Sequence, residues 1–199
     1  MSRHHRAEAT GHGDGFPATV VAADMQVEWA RTAMNTAGHA VALAAQDLPL
    51  HEAWLRLEEM PPRFRAGTWR VLGRAEVAPR HGEVDLEPAD TDKWIVVNGA
   101  GREAEARWRV EIEGARLLWW ARRLVHRSPY VQNTRDEVEQ LLALPAATLT
   151  AATARTATRA FVDEHWAAMN RVAHALTRDG RLSARQVHAL TRPDAPEPT

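Results

Sequence analysis

The chain has 199 residues, 45% of them hydrophobic, and a formal net charge of −1. This length is enough for a hydrophobic core and corresponds to one domain, since domains usually contain about 100–200 residues. The near-neutral charge gives no electrostatic reason to expect nucleic acid or a membrane as partner. The sequence has no cysteine, which excludes disulfides, thiolate metal sites, iron–sulfur clusters and cysteine nucleophiles.

The two ends of the chain differ in composition from its middle. Residues 1–15 are polar and lack the apolar core of a signal peptide, and no later run approaches the about 20 apolar residues of a membrane span. We therefore expect a cytoplasmic protein with a flexible arm over 1–22, a folded domain over 23–191 and a disordered tail over 192–199. Arginine supplies every positive charge except Lys93, as expected for a GC-rich bacterium. Because Lys93 cannot complete a P-loop, we expect no ATPase activity in this chain.

The first predicted element is a long helix. Asp24 is a suitable N-cap, and Asp47-Leu48-Pro49 would end the helix near Gln46. Small and apolar residues recur at spacings of three and four along this segment, which predicts one buried face. That face contains Val27, Ala30, Met34, Ala37, Val41 and Ala44.

The next segment changes from a helical to an alternating pattern. Short alternating apolar runs, separated by proline and glycine, lie around residues 55–57, 69–71 and 84–86. This pattern predicts a small antiparallel sheet of three strands.

Helical patterns return at Thr91 and continue to the end. We predict helices over about 91–126, 134–145, 147–177 and 183–190. Thr134 and Glu137 match a capping box for the second of these helices. Ser183 and Gln186 match another for the last, and Gly180 is a stop signal for the helix before it. The sequence thus predicts an α+β fold, mostly α-helical, with a small three-stranded sheet.

Gly99-Ala100-Gly101-Arg102-Glu103-Ala104 fits the dinucleotide pattern G-x-G-x-x-A. Its context lacks the repeated strand–helix units of that fold, so we interpret the glycines as allowing close helix packing or a turn. Arginine and glutamate interleave through the same segment, which is typical of a solvated, salt-bridged helix face rather than a nucleic-acid surface.

The first helix contains an incomplete zinc-site pattern. In a helical HExxH site, two histidines four residues apart bind the metal and the adjacent glutamate activates water. The window Asn35-Thr36-Ala37-Gly38-His39 has this frame but only the second histidine. Zinc seldom uses a neutral amide oxygen, and Thr36 cannot act as a general base near neutral pH.

The sequence Ala37-Gly38-His39-Ala40-Val41 resembles the HEAGHA(V) helix in the peptidase domain of FtsH-type bacterial zinc proteases. Segments 48–55, 95–106 and 165–183 are similar to later parts of that domain, so the likeness covers about residues 24–191. The resemblance implies a zinc-peptidase-like helical domain without the ATPase and membrane parts. In that family an aspartate at a later helix start is the third metal ligand, and Asp136 is the best positional match.

These patterns give a set of candidate site residues. The metal candidates are His39 and Asp136, and the cleft candidates are Asn35, Thr36, His51 and Glu105. We assign no catalytic residue, because Thr36 occupies the general-base position. His51 and Glu52 would point to opposite faces of a strand, so at most one of them could join a given site.

We predict a catalytically degenerate zinc-metallopeptidase-like protein, a pseudoenzyme that serves as a binding or adaptor module for a peptide, protein or small ligand. We expect no cofactor. The alternative is an active metal-dependent hydrolase that binds zinc in a rebuilt site around His39. A purely structural role is a third hypothesis.

Overall fold

A computed structural model describes residues 23–59, 69–77, 90–112, 114 and 129–195. The expected arm over 1–22, the third expected strand around residues 84–86, and residues 196–199 of the expected tail lie outside these ranges. The helical segment expected to reach residue 126 is described only as far as residue 114.

The described ranges form five helices and three strands, in agreement with a mostly helical α+β fold. In chain order they are α1 Ala23–Ala45, β1 Leu50–Glu59, β2 Trp69–Val77, α2 Thr91–Glu111, α3 Pro129–Leu142, α4 Ala151–Asp179, β3 Arg181–Ser183 and α5 Ala184–Thr191. No helix among the described residues is both long enough and apolar enough to cross a membrane.

Helix α1 is the central element of the fold. It packs against α2, α4, α5 and both long strands. Its buried positions are rich in small residues, which let neighbouring backbones come close: Ala33, Ala37, Gly38, Ala40, Ala42 and Ala44. The helix begins at Ala23, so Asp24 belongs to its first turn instead of preceding it as the N-cap.

The sheet has the order β2-β1-β3, and both pairings are antiparallel. Leu55 lies opposite Gly73, and Leu57 lies opposite Val71, on the face that packs against α1. Among the described residues, the third strand of this sheet is Arg181–Ser183, whereas the predicted strand around residues 84–86 lies outside them. A strand of only three residues is too short to show an alternating pattern in the sequence.

One predicted helix start is wrong. Helix α3 begins at Pro129, so Thr134 lies inside the helix and cannot cap it. Proline suits the first turn of a helix, because its missing N–H would have no intrahelical partner there. The capping-box pattern at Thr134 and Glu137 therefore has no capping role.

The boundaries of α4 and α5 follow their caps. Helix α4 starts after Thr150, later than the expected residue 147. The segment before it is held by Asp92 of α2, which accepts hydrogen bonds from the hydroxyl and backbone N–H of Thr148 and from the backbone N–H of Leu149. These bonds, above all the one from the Thr148 hydroxyl, lower the pKa of Asp92. Gly180 ends α4 with a φ of 70°, as the stop signal predicted.

The capping box of Ser183 and Gln186 is also confirmed at the start of α5. Helix α5 is fixed at its other end by Arg171, a buried side chain of α4. Its guanidinium donates hydrogen bonds of 2.9 Å to the carbonyl oxygens of Leu190 and Arg192. The last carbonyls of a helix have no intrahelical partner, so Arg171 supplies one from another element.

Candidate functional site

The site forms where α1 crosses α2. Asn35 contacts Glu105 while His39 contacts Val97, so the two helices run antiparallel across each other. Their backbones meet at Gly38 and Gly101: a Cβ atom on Gly38 would lie only 2.7 Å from the Cα atom of Gly101. The glycines at 99 and 101 therefore lie inside a helix that is packed tightly. This confirms the helix-packing interpretation and removes the dinucleotide one, because Trp94 to Val97 belong to the same helix and form no strand.

The position of the first HExxH histidine is part of a polar network. The side-chain amide of Asn35 donates a 3.2 Å hydrogen bond to a carboxylate oxygen of Glu105, and the guanidinium of Arg109 donates bonds of 2.6 and 3.1 Å to the other oxygen. The side chain of Glu105 is only 12% exposed. Burial raises the pKa of Glu105, while Arg109 and Asn35 act in the opposite direction. Glu105 is thus a buried carboxylate paired with one amide and one guanidinium.

His39 is the one histidine of the predicted HExxH frame, and one of its ring nitrogens forms a hydrogen bond. Its Nδ1 atom lies 2.9 Å from the carbonyl oxygen of Val97. A carbonyl only accepts hydrogen bonds, so Nδ1 carries the proton and Nε2 has a free lone pair. Burial lowers the pKa of His39 from 6.5 to about 4; the bond to Val97 opposes this shift and the charge of Arg102 adds to it. The imidazole is therefore neutral at pH 7, with Nε2 beside Gly101.

Thr36, at the general-base position, faces the sheet rather than α2. It is only 2% exposed, and its hydroxyl lies against Gly73 of β2, where any larger residue would overlap it. A longer acidic side chain would not fit at position 36 without displacing β2. The side chain that is predicted not to act as a general base is therefore also one that fits against Gly73 of β2.

The remaining candidates lie elsewhere. Asp136 is exposed on α3, a helix that packs chiefly against α2. His51 is exposed on β1, at an irregularity in the pairing with β2. Its neighbour Glu52 forms two hydrogen bonds of 2.7 Å with Arg181 of β3. Of the six predicted site residues, the structure thus brings together Asn35, His39 and Glu105, with Thr36 on the adjacent side of α1.

The donors at this site do not fit a zinc ion. Zinc needs three or four ligands arranged around one point, and the described residues contain no group of three or more histidine, aspartate or glutamate side chains able to hold a metal. His39 offers one lone pair, but the amide nitrogen of Asn35 faces Glu105, whose carboxylate is bound by Arg109. No metal-dependent step is therefore derived for this site.

Two concave surfaces flank α2 away from these residues. A cleft of about 250 Å³ between α2 and α4 has a wall of charged side chains, among which Arg107 binds both Glu111 and Asp163 at 2.8 Å. Arg107 also lies over the ring of Trp166, 4.3 Å from its centroid. This agrees with the predicted salt-bridged face of α2. A second groove of about 390 Å³ lies between Trp94 of α2 and Leu141 of α3.

Sequence reasoning missed the residues that shape the site from other elements. Gly73 had no signal beyond being a glycine in a strand, which can mark close approach of another group. Arg109 follows Glu105 by four residues, a spacing that does indicate an ion pair on a helix. The carbonyl of Val97 could not be found from sequence, because its partner His39 is 58 residues away in the chain.

No protein-family model matches this chain, and no curated protein sequence matches it. The function must therefore be inferred from the chemistry of the side chains at the junction of α1, α2 and β2.

Proposed function

We propose that this protein is a non-catalytic, zinc-peptidase-like module that binds a peptide, protein or small ligand. The observation that carries the proposal is the network of Asn35, Glu105 and Arg109, which engages the side chain four positions before His39. The segment around His39 resembles the FtsH-type peptidase helix. In the proposed module, Asn35 stands where that helix has its first histidine, and its side chain is engaged by Glu105 instead of binding a metal.

Hydrolysis of a peptide bond at this site would need an activated water molecule. Thr36 is no base near neutral pH, and the Glu105 carboxylate is engaged by an amide and a guanidinium. Loss of a general base alone costs about 10²–10⁴ in rate. Without a metal to lower the pKa of water as well, turnover would be negligible.

Binding remains chemically reasonable, because the same region keeps two polar atoms without a hydrogen-bond partner among the described residues. His39 is neutral and presents the lone pair of Nε2. Thr36 presents a hydroxyl on the adjacent side of α1, against Gly73 of β2. A site of mostly apolar walls with a few placed polar groups is typical of ligand recognition.

Metal content and polypeptide binding test the proposal together. We expect purified full-length protein to contain far less than one zinc per chain, and to bind fluorescein-labelled unfolded casein, measured by anisotropy, equally well with and without EDTA. Casein fragments should not appear on prolonged incubation. Near-stoichiometric zinc that disappears in His39→Ala, together with EDTA-sensitive cleavage, would establish the hydrolase alternative instead. Absence of casein binding to the wild type would contradict a polypeptide-binding role.

Zinc uptake by a variant tests whether residues 35–39 have the spacing of a zinc site. In Asn35→His, the introduced imidazole stands four residues before His39 and beside Glu105, so two histidines and one carboxylate would face the same space. We expect Asn35→His to take up zinc that the wild type does not, measured by mass spectrometry of the metal after gel filtration. The double variant Asn35→His/Glu105→Gln is the matched control and should lose that zinc. Equal, negligible zinc in all three proteins would refute the zinc-site frame.

A further inference from the structure

The groove of about 390 Å³ between α2 and α3 is formed by one side of each helix. Trp94 and Asn98 are four residues apart on α2, so they project from the same side of that helix. On α3 and the turn after it, the lining residues recur at spacings of three and four, which again marks one side of a helix. They are Glu137, Gln140, Leu141 and Leu144. The groove therefore extends about 10 Å along α3, since a helix rises by about 1.5 Å per residue.

The apolar part of the groove comes from three side chains. Trp94 is partly buried and packs against the cluster of Ile95, Leu141 and Ala154, which holds its ring in place. Leu141 is buried, whereas Leu144 is 40% exposed. The ring and the two leucines give a ligand an apolar surface to lie against, as is usual in small-molecule sites.

The polar side chains of the groove are not engaged by the described part of the chain. Asn98, Glu137 and Gln140 form no side-chain hydrogen bond or ion pair within it. The glutamates of α2 differ in this respect, because each of them binds an arginine: Glu103, Glu105 and Glu111. Of the six described residues that line the groove, none is lysine, arginine or histidine. The carboxylate of Glu137 therefore makes the groove negative.

These features favour a positively charged ligand with an apolar body. The carboxylate of Glu137 attracts a cation, and so does the face of a tryptophan ring. The amide oxygens of Asn98 and Gln140 can accept hydrogen bonds from an ammonium group. The size of the groove indicates a small molecule, because small-molecule sites measure about 300–1,000 Å³, whereas a stable protein interface uses about 20–30 residues on each side.

We propose that the groove between α2 and α3 binds a small organic cation, with its apolar body along Trp94, Leu141 and Leu144 and its charged end at Glu137. Glu137 and Leu144 are the two ends of the lining on α3, so the ligand has its charged and apolar ends about 10 Å apart. Hexylamine approaches this length, and it is charged at pH 7 because an alkylamine such as lysine has a pKa of about 10.4. This site is separate from the junction of α1, α2 and β2, so it goes beyond the proposed function and does not depend on it.

NMR of the Trp94 indole N–H in the full-length protein tests the site, with the resonance assigned by means of Trp94→Phe. We expect hexylamine to shift this resonance in a saturable way, and the uncharged hexan-1-ol to bind about three- to fivefold more weakly, as loss of one exposed ion pair does. Glu137→Gln should weaken hexylamine binding by a similar factor and leave hexan-1-ol binding unchanged. Asp136→Asn is the matched control, because Asp136 is an exposed carboxylate beside Glu137 that does not line the groove. It should bind hexylamine as the wild type does.

Three results would overturn the small-cation site. The first is no shift of the Trp94 resonance with hexylamine. The second is equal affinity of the wild type for hexylamine and hexan-1-ol, or equal weakening in Glu137→Gln and Asp136→Asn, since that would be a general effect of surface charge. The third is tighter binding of N-acetyllysine methylamide than of hexylamine, which would assign the groove to a basic side chain of a polypeptide instead.

Discussion

Acidification should destabilise this protein through His39, and a single substitution isolates the effect. The buried ring has its pKa lowered from 6.5 to about 4. The experiment lowers the pH from 7 to 4 and compares the free energy of unfolding of the wild type with that of His39→Asn. Asparagine can still donate to the carbonyl of Val97, but it does not titrate in this range.

The sign follows from the order of the two pKa values. Between pH 6.5 and about 4 the unfolded chain binds a proton at His39 that the folded chain does not, so stability falls as the pH is lowered. Above 6.5 both states are neutral, and below about 4 both are protonated. One pKa unit corresponds to about 1.4 kcal/mol, so the loss attributable to His39 is at most about 3 kcal/mol. Burial raises the pKa of Glu105, which works in the opposite direction in both proteins and largely cancels in the comparison.

Urea unfolding followed by tryptophan fluorescence at several pH values measures this loss. The free energy of unfolding of the wild type minus that of His39→Asn should decrease by about 3 kcal/mol between pH 7 and pH 4, with most of the change below pH 6. His39→Asn is expected to be less stable at pH 7, because the smaller side chain packs less well. Parallel pH profiles for the two proteins would refute the buried, neutral state of His39.

Three further predictions concern the packing around the site. Gly38→Ala should lower the free energy of unfolding by about 1–3 kcal/mol in urea, because its Cβ atom would press on the backbone of Gly101; stability equal to the wild type would show that the helices can separate without cost. Arg171→Met should speed hydrogen exchange in α5 and lower stability by about 1–3 kcal/mol, since two carbonyl oxygens lose their donor; unchanged exchange in residues 184–191 would contradict that role. Glu105→Gln should lower the free energy of unfolding by about 1–3 kcal/mol in urea, because Arg109 loses the charged acceptor that Glu105 provides; a gain in stability would show that the pair contributes nothing.

Much of the fold could be predicted from local patterns. The helical spacing of α1, the stop at Gly180 and the cap at Ser183 are set by residues close together in the chain, so the sequence was sufficient for them. The start of α3 was wrong because Thr134 and Glu137 match a cap signature that proline at position 129 overrides. The strand Arg181–Ser183 was not predicted, because it is a strand only by virtue of pairing with Glu52, Ala53 and Trp54.

In the candidate site, too, some features follow from local spacing in the sequence and others depend on contacts between distant segments. The i and i+4 spacing of Asn35 and His39 placed both residues on one face of α1 from the sequence alone. The sequence could not assign Glu105 its partner, since Asn35 and Glu105 are 70 residues apart. It favoured Asp136 as the companion of His39, whereas the structure places Asp136 on an exposed face of α3.

The sequence by itself determined the absence of cysteine, the single lysine, the mainly helical pattern, and the spacing that puts Asn35 and His39 on one face of α1. The tertiary structure decided which groups those two side chains meet. Antiparallel crossing of α1 and α2 at Gly38 and Gly101 brings Glu105 to Asn35 and the Val97 carbonyl to His39. Such contacts depend on how closely two backbones can approach, and that distance is set by packing between distant segments rather than by any local pattern.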